Sequence, residues 1–291
     1  MNIRVIPRLD IKGPNLVKGI HLEGLRVLGK PEAFARYYFE TGADELFYQD
    51  VVASLYDRNS LKEVVSRTAR EIFIPMTVGG GLRNTDDIKE ILRAGADKVS
   101  LNTAAIRNPQ LVREASRMFG SSTIVVAIEA IRESDGRYLA FTDNGRETTG
   151  LEVLEWAQRA EELGAGEIIL TSVDRDGTGE GFDIELIKMV ANAVSIPVIA
   201  HGGAGSIEHI ISVIKQGNAN AVALASCLHY KAINRIDILD NYAAEGNTEF
   251  LKNKNLARNI GTYDLAEVKW HMTKSGISCR SEIGVANERR A

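Results

Sequence analysis

At 291 residues the chain is long for an ordinary domain and normal for a single α/β barrel, which takes ~250 residues. A composition 44% apolar and 25% charged, with 26 glycines against 6 prolines, is that of a globular protein with many tight turns and argues against extended disorder. The formal net charge of −4 exerts no global pull on nucleic acid or an anionic membrane, so any phosphate recognised here has to be bound locally.

Short runs rich in Val and Ile alternate with longer amphipathic stretches, the pattern of parallel strands buried on both faces and crossed over by helices. In chain order, strands are predicted at 3–9, 45–50, 73–78, 97–101, 123–129, 167–172, 196–200 and 220–225. Helices are predicted over 31–42, 60–70, 85–94, 108–118, 150–163, 183–194 and 206–216. Eight βα units predict a closed (β/α)8 barrel, the TIM-barrel class, rather than an open sheet. An internal repeat supports this, because the two halves of the chain align at a shift of about 122 residues. IPMTVGGGLRNTDDIKEILRAGADKVSLNT (74–103) falls against IPVIAHGGAGSIEHIISVIKQGNANAVALAS (196–226), and DELFYQD (44–50) against GEIILTS (166–172). At nearly the same shift Asp10, ending strand 1, falls opposite Glu129, ending strand 5. A duplicated and fused half-barrel produces this pattern.

After strand 8, residues 230–262 read as an insertion before TYDLAEVKWHMTKSG (262–276), the expected final helix. With its pieces RIDILDNYAA and LKNKNLARN, the insertion reads first as a solvated surface excursion. One domain is expected over 1–280, followed by a frayed tail, 281–291. The opening MNIRVIPRLD lacks a long apolar core behind a basic end, and no run approaches the ~18 apolar residues of a membrane span, so the expected location is the cytoplasm. Cys227 and Cys279 are too few for a disulfide framework, and no Cys/His spacing resembles a zinc site. No motif asks for a metal or another cofactor.

Three loops, one pair of carboxylates and one ring carry candidate chemistry. TVGGGLRN (77–84) with the strand-4 exit SLNTAA (100–105) has the glycines and helix-entry N–H groups of a phosphate cradle. The repeat supplies a second set, AHGGAGS (200–206) with LAS (224–226), so a substrate with two phosphates is expected; tight turns alone are the alternative. Asp10 and Glu129 end strands on opposite sides of the predicted mouth, where active sites of this fold lie, and two such carboxylates can divide the work of acid and base. They could instead hydrogen-bond loop N–H groups or form ion pairs. TSVDRDGTGEG (171–181) suits a mobile anion-binding cover with Asp176 as an acid or base, and it fails the EF-hand spacing for calcium. Arg4, Glu45, Lys98 and Glu167 stand near strand starts, where alternating charges could close a ring across the N-terminal end, with a purely structural ion-pair layer as the alternative. Among the five histidines only His201 lies near the predicted mouth.

The segments RLDIKGPNLVKGI (8–20), GADELFYQD (42–50), FIPMTVGGGLRN (73–84), RAGADKVSLNTAAIRNP (93–109), GAGEIILTSVDRDGTGEG (164–181) and IPVIAHGGAGSIEH (196–209) resemble the cyclase subunits of imidazole glycerol phosphate synthase, in the histidine pathway. The resemblance runs from residue 3 to about 229 and resumes at 262–280. It implies an ammonia-dependent lyase and cyclase. The expected substrate is a ribulosyl-formimino aminoimidazole carboxamide nucleotide phosphorylated at both ends; the expected products are imidazole glycerol phosphate and aminoimidazole carboxamide ribonucleotide. It implies catalytic roles for Asp10 and Glu129 with Asp176 and Thr171 nearby, and a basic residue, Lys18, on the loop behind Asp10. Gly81, Asn102 and Thr103 would hold one phosphate; Gly177, Gly203, Ala225 and Ser226 the other. Arg4, Glu45, Lys98 and Glu167 would gate ammonia from a glutaminase subunit docked at the N-terminal face, with Asp97 in that interface.

Three features depart from the family pattern. Glu129 stands where the family carries an aspartate, His201 where a small residue is usual, and the 230–262 insertion is extra. They keep open a paralogous activity, ammonia-dependent amidination of an acetamido sugar for bacterial surface polysaccharide. Intact Asp10 and two intact cradles argue for the cyclase. A non-catalytic barrel that only activates a glutaminase, and the related sugar-phosphate isomerase, remain further alternatives; the isomerase has no use for the charged ring.

Overall fold

A computed structural model describes residues 2–53, 61–236 and 260–280. Eight parallel strands, β1 (Arg4–Lys12), β4 (Leu46–Asp50), β5 (Met76–Gly79), β6 (Lys98–Leu101), β7 (Ile124–Arg132), β10 (Glu167–Ser172), β11 (Val198–His201) and β12 (Ala221–Leu224), pair in that order. The ring closes where Arg4 of β1 pairs with Ala221 of β12. The expected closed (β/α)8 barrel is the observed one.

Two antiparallel hairpins extend it: β2 (Asn15–Ile20) with β3 (Glu23–Gly29) after β1, and β8 (Tyr138–Thr142) with β9 (Glu147–Glu152) after β7. They stand at equivalent points of the two halves, so the duplication seen in the sequence extends to elements it did not announce. The outer layer comprises α1 (Pro31–Glu40), α2 (Lys62–Thr68), α3 (Thr85–Ala94), α4 (Thr103–Arg107), α5 (Gln110–Phe119), α6 (Val153–Glu162), α7 (Ile184–Ala191), α8 (Ile207–Gly217), α9 (Ser226–Ala232) and α10 (Leu265–Lys274). Of the predicted 230–262 insertion, residues 237–259 lie outside the described residues, as does the 281–291 tail.

Strand periodicity explains the near-continuous apolar runs. Alternate residues Ile6, Phe47, Val125, Ile169, Ile199, Ala221 and Ala223 fill the bore as one buried layer. Their neighbours Val5, Leu46, Val126, Ile168, Leu170 and Val222 face outward into the helical shell and are equally buried. A large-to-small change such as Ile169→Ala would cost ~2–5 kcal/mol, because neither face has solvent to fill the void.

Helix caps repeat with the halves too. The side chain of Asn84 accepts from the N–H groups of Asp86 and Asp87 to start α3, and Ser206 accepts from His209 N–H to start α8. Each helix ends on a left-handed residue, Gly95 and Asn218. Such a cap is worth ~1 kcal/mol, and here it also fixes where the preceding glycine turn meets its helix.

Candidate active site

At the N-terminal end of the strands the four predicted charges form a closed ring. Arg4 bonds both Glu45 and Glu167, at 2.7 Å to the former, and Lys98 Nζ lies 3.0 Å from Glu45 and 3.2 Å from Glu167. Each carboxylate thus takes two cations and each cation two carboxylates. Burial alone would lower the Arg4 pKa, but Glu167 and Glu45 outweigh it and raise it. Asp97, at the same end, accepts the Met76 N–H at 2.8 Å, next to an exposed Phe73.

Above the apolar layer a second charged group fills the mouth, and here Asp10, Lys18, Thr171, Asp176 and His201 come together, all buried. Lys18 Nζ lies 2.7 Å from Asp176 and 3.6 Å from Asp10. Burial pushes the Asp10 carboxyl upward, but Arg8 and Lys18 overcome this and hold it below the ordinary aspartate range. Glu129 behaves oppositely. Its burial dominates over the pull of Arg8 and of the Gly145 N–H, which it accepts at 2.8 Å, and its carboxyl is raised to about 7. The two acids sit on β1 and β7, four strands apart in a ring of eight. Their environments therefore push their proton affinities apart, the arrangement that separates a proton donor from an ionised carboxylate able to accept one.

Two cavities open at the mouth, one per half. The first, about 300 Å³, is lined by Gly81, Asn102, Thr103 and Glu129 among others. The buried Ser100 Oγ and Asn102 Oδ1 have no partner among the described residues, and polar atoms in that state normally meet a ligand or water. The second is about 20 Å³ and is lined by Lys18, Asp176, Gly177, His201, Gly203, Ala225 and Ser226. Asn102 and Ala225, preceding α4 and α9, share nearly the same backbone angles, φ −122° and ψ −89° against φ −126° and ψ −88°. The cradles are therefore related by the repeat in backbone geometry while differing in how far they stand open. Gly203 has φ +102°, and a Cβ there would lie 2.1 Å from Gly181 O, so only glycine fits the close approach.

His201 lines the second cavity beside Gly203 and brings no charge to it. Its pKa falls well below the ordinary value through burial, with Arg8 and Lys18 adding to the effect, so the ring is neutral. Arg8, which can only donate, approaches its Nδ1 at 3.1 Å, which leaves the ring proton on Nε2, 3.9 Å from Asp176.

The two hairpin tips meet over the mouth: Asn144 Nδ2 donates to Leu22 O at 2.9 Å, and His21 N–H to Asp176 O at 2.8 Å. The 171–181 loop, expected as a mobile anion-binding cover, is held by His21, whose N–H donates to Asp176 O and whose Nδ1 lies 3.0 Å from Val173 O, and by the Lys18–Asp176 pair. Arg8 had no sequence-derived role, yet its side chain bonds Asp10, Thr171 and His201. The signal for it was present in the alternation of β1, which turns Arg4, Ile6, Arg8 and Asp10 to one side. Asp10 lines neither cavity, because Arg8 and Lys18 enclose its carboxylate between them.

A family model described as a histidine biosynthesis protein matches residues 4–234. Among curated proteins, the chain is similar to the imidazole glycerol phosphate synthase subunit HisF of Legionella pneumophila, 58% identical over 207 residues, 71% of this chain and 98% of that relative. It is similar to the subunit of the same name from Thermobifida fusca, 48% identical over 249 residues, 84% of this chain and 97% of the relative. The Alkaliphilus metalliredigens HisF subunit is 46% identical over 231 residues, 79% of this chain and 92% of the relative.

Proposed function

The chain belongs to the histidine biosynthesis family, among the HisF subunits of imidazole glycerol phosphate synthase, and from that premise we propose how its residues carry out an ammonia-dependent cyclase reaction. The substrate is the ribulosyl-formimino aminoimidazole carboxamide nucleotide with a phosphate at each end. Ammonia adds to it, the aminoimidazole carboxamide ribonucleotide leaves, and the remainder closes to imidazole glycerol phosphate as its new nitrogen condenses with the ketone carbon and one water is released.

The observation that carries this reading is the pair of repeat-related cradles flanking two acids of opposite perturbation. One phosphate goes to Gly81, Asn102 and Thr103, where the cavity is open and the unpartnered Ser100 hydroxyl can donate to it. The other goes to Gly177, Gly203, Ala225 and Ser226, beside the Lys18 ammonium. With a carboxyl pKa of about 7, Glu129 holds its proton about half the time at neutrality and serves as general acid. Asp10 stays ionised and accepts protons as ammonia adds and the ring closes, with Asp176 and Thr171 assisting. The longer Glu129 side chain substitutes for the family's aspartate by reaching a site fixed by the Gly145 N–H.

A glutaminase subunit docks at the N-terminal face, around Phe73 and Asp97, and its ammonia passes the Arg4, Glu45, Lys98 and Glu167 ring into the bore; the pair works in the cytoplasm. No helix among the described residues is long and apolar enough to cross a membrane. Sugar amidination is not favoured, since the three relatives carry the synthase-subunit name and both cradles are kept.

Purified protein given ammonium salt and the diphosphorylated nucleotide should release aminoimidazole carboxamide ribonucleotide, and Asp10→Asn should abolish the release. A folded wild-type protein that binds the nucleotide without turning it over would remove the cyclase reading.

A further inference from the structure

Arg8 stands at the centre of the mouth. Its Nε donates to Asp10 Oδ1 at 2.9 Å, and its Nη1 lies 3.2 Å from Thr171 Oγ1 and 3.1 Å from His201 Nδ1. Thr171 belongs to β10, three strands round the ring from β1, and His201 to β11. The side chain therefore crosses the bore, resting on the apolar layer with its guanidinium 5.8 Å from the Phe47 ring centroid. Its main chain is pinned as well. His229 Nε2 is 2.9 Å from Arg8 O, and His229 Nδ1 is 2.6 Å from the Tyr38 hydroxyl. A fully buried guanidinium is costly unless carboxylates repay it, and the layer beneath is filled with Ile, Val, Ala and Phe alone, so packing gives no reason for a cation here.

The groups facing it come from every side of the mouth. Lys18 projects from β2, Glu129 from β7, Asp176 from the loop after β10, His201 from β11 and His229 from α9. Arg8 exerts an attraction on Asp10, Asp176 and Glu129 together.

We propose that Arg8 is a positioning residue of the reaction: it fixes the Asp10 carboxylate with a rigid fork anchored across the barrel and imposes one positive field on both acids, Asp10 and Glu129. The proposal rests on the cyclase reading. A guanidinium offers planar donors in fixed directions, which a lysine ammonium cannot reproduce, so charge and geometry can be separated by mutation.

The test compares wild type with Arg8→Met and Arg8→Lys, measuring kcat/KM for the diphosphorylated nucleotide against pH at saturating ammonia. Activity needs Asp10 ionised and Glu129 protonated, so Asp10 sets the acid limb and Glu129 the alkaline limb. Removing the cation makes both acids hold protons more tightly. Arg8→Met should therefore move the whole bell to higher pH, the acid limb by about one to three pH units. Arg8→Lys keeps the charge and loses the fork; its bell should stay in place at a height reduced by about 10²-fold, the loss expected of a catalytic group displaced by ~1 Å. A merely structural role would lower the height of Arg8→Met without displacing its bell, and that result overturns the proposal. Should Arg8→Met fail to fold by circular dichroism, wild-type turnover in folded Arg8→Lys overturns it equally. Wild type inert toward the nucleotide brings down the cyclase reading and this proposal with it; wild type active with an undisplaced Arg8→Met bell brings down the proposal alone.

Discussion

Replacing Glu129 by glutamine should make the protein more stable at alkaline pH while disabling it. The carboxyl is raised from 4.5 to about 7, chiefly by burial, so the folded state binds its proton more tightly than the unfolded chain does. A raised carboxyl pKa means that stability is fully present below the unfolded value, declines as pH climbs from 4.5 to about 7, and is flat above. At 1.36 kcal/mol per pH unit the decline totals about 3 kcal/mol, of which about 2–3 kcal/mol falls between pH 5 and pH 8. Glutamine is a neutral near-isostere that still accepts from the Gly145 N–H, and it removes this dependence. Urea unfolding of both proteins at pH 5 and pH 8 gives the difference between variant and wild type at each pH, and every other titrating group cancels in the comparison. Glu129→Gln should gain about 2–3 kcal/mol on wild type in going to pH 8. An identical difference at the two pH values would refute the assignment of a neutral-range proton to Glu129.

Lys18→Met strands the buried carboxylates of Asp176 and Asp10, and should destabilise the fold by ~3–5 kcal/mol. Thermal denaturation measures the loss, and adding Asp176→Asn should recover part of it; a double variant no more stable than the single one contradicts the ion-pair account. Gly203→Ala drives a Cβ to 2.1 Å from Gly181 O at φ +102°. The strain should cost ~1–3 kcal/mol in unfolding experiments. It should also raise the nucleotide KM at least about tenfold, equivalent to 1.4 kcal/mol of phosphate binding, and an unchanged KM would take the second cradle away from Gly203.

The eight barrel strands were legible because parallel strands buried on both faces leave unbroken apolar runs, and residues 167–172 match their predicted bounds. Two hairpins were not foreseen. The β2–β3 turn places His21 and Leu22 at φ 51° and 61°, conformations usually left to Gly, Asn or Asp, so it carries no turn signature. The β8–β9 turn, Asp143-Asn144-Gly145, does carry one, with all three residues at positive φ. Asp10, Glu129 and both glycine turns could be found because the repeat sets each against its counterpart. Arg8 could not be found that way, since its bonding partners Thr171 and His201 lie 163 and 193 residues along the chain. Cations are also rarely expected in a barrel interior. The difference in openness between the cradles was equally invisible, because it depends on Lys18, Asp176 and His201 converging from three separate segments.

The claim that a doubled barrel holds a molecule by two phosphates and works on its middle with Asp10 and Glu129 is tested most directly in a histidine auxotroph lacking its own cyclase subunit. Supplied with this chain and a large excess of ammonium, the strain should grow without histidine, and the Asp10→Asn chain should not support it. Expression of soluble, folded wild-type protein without growth, or equal growth with Asp10→Asn, would contradict it.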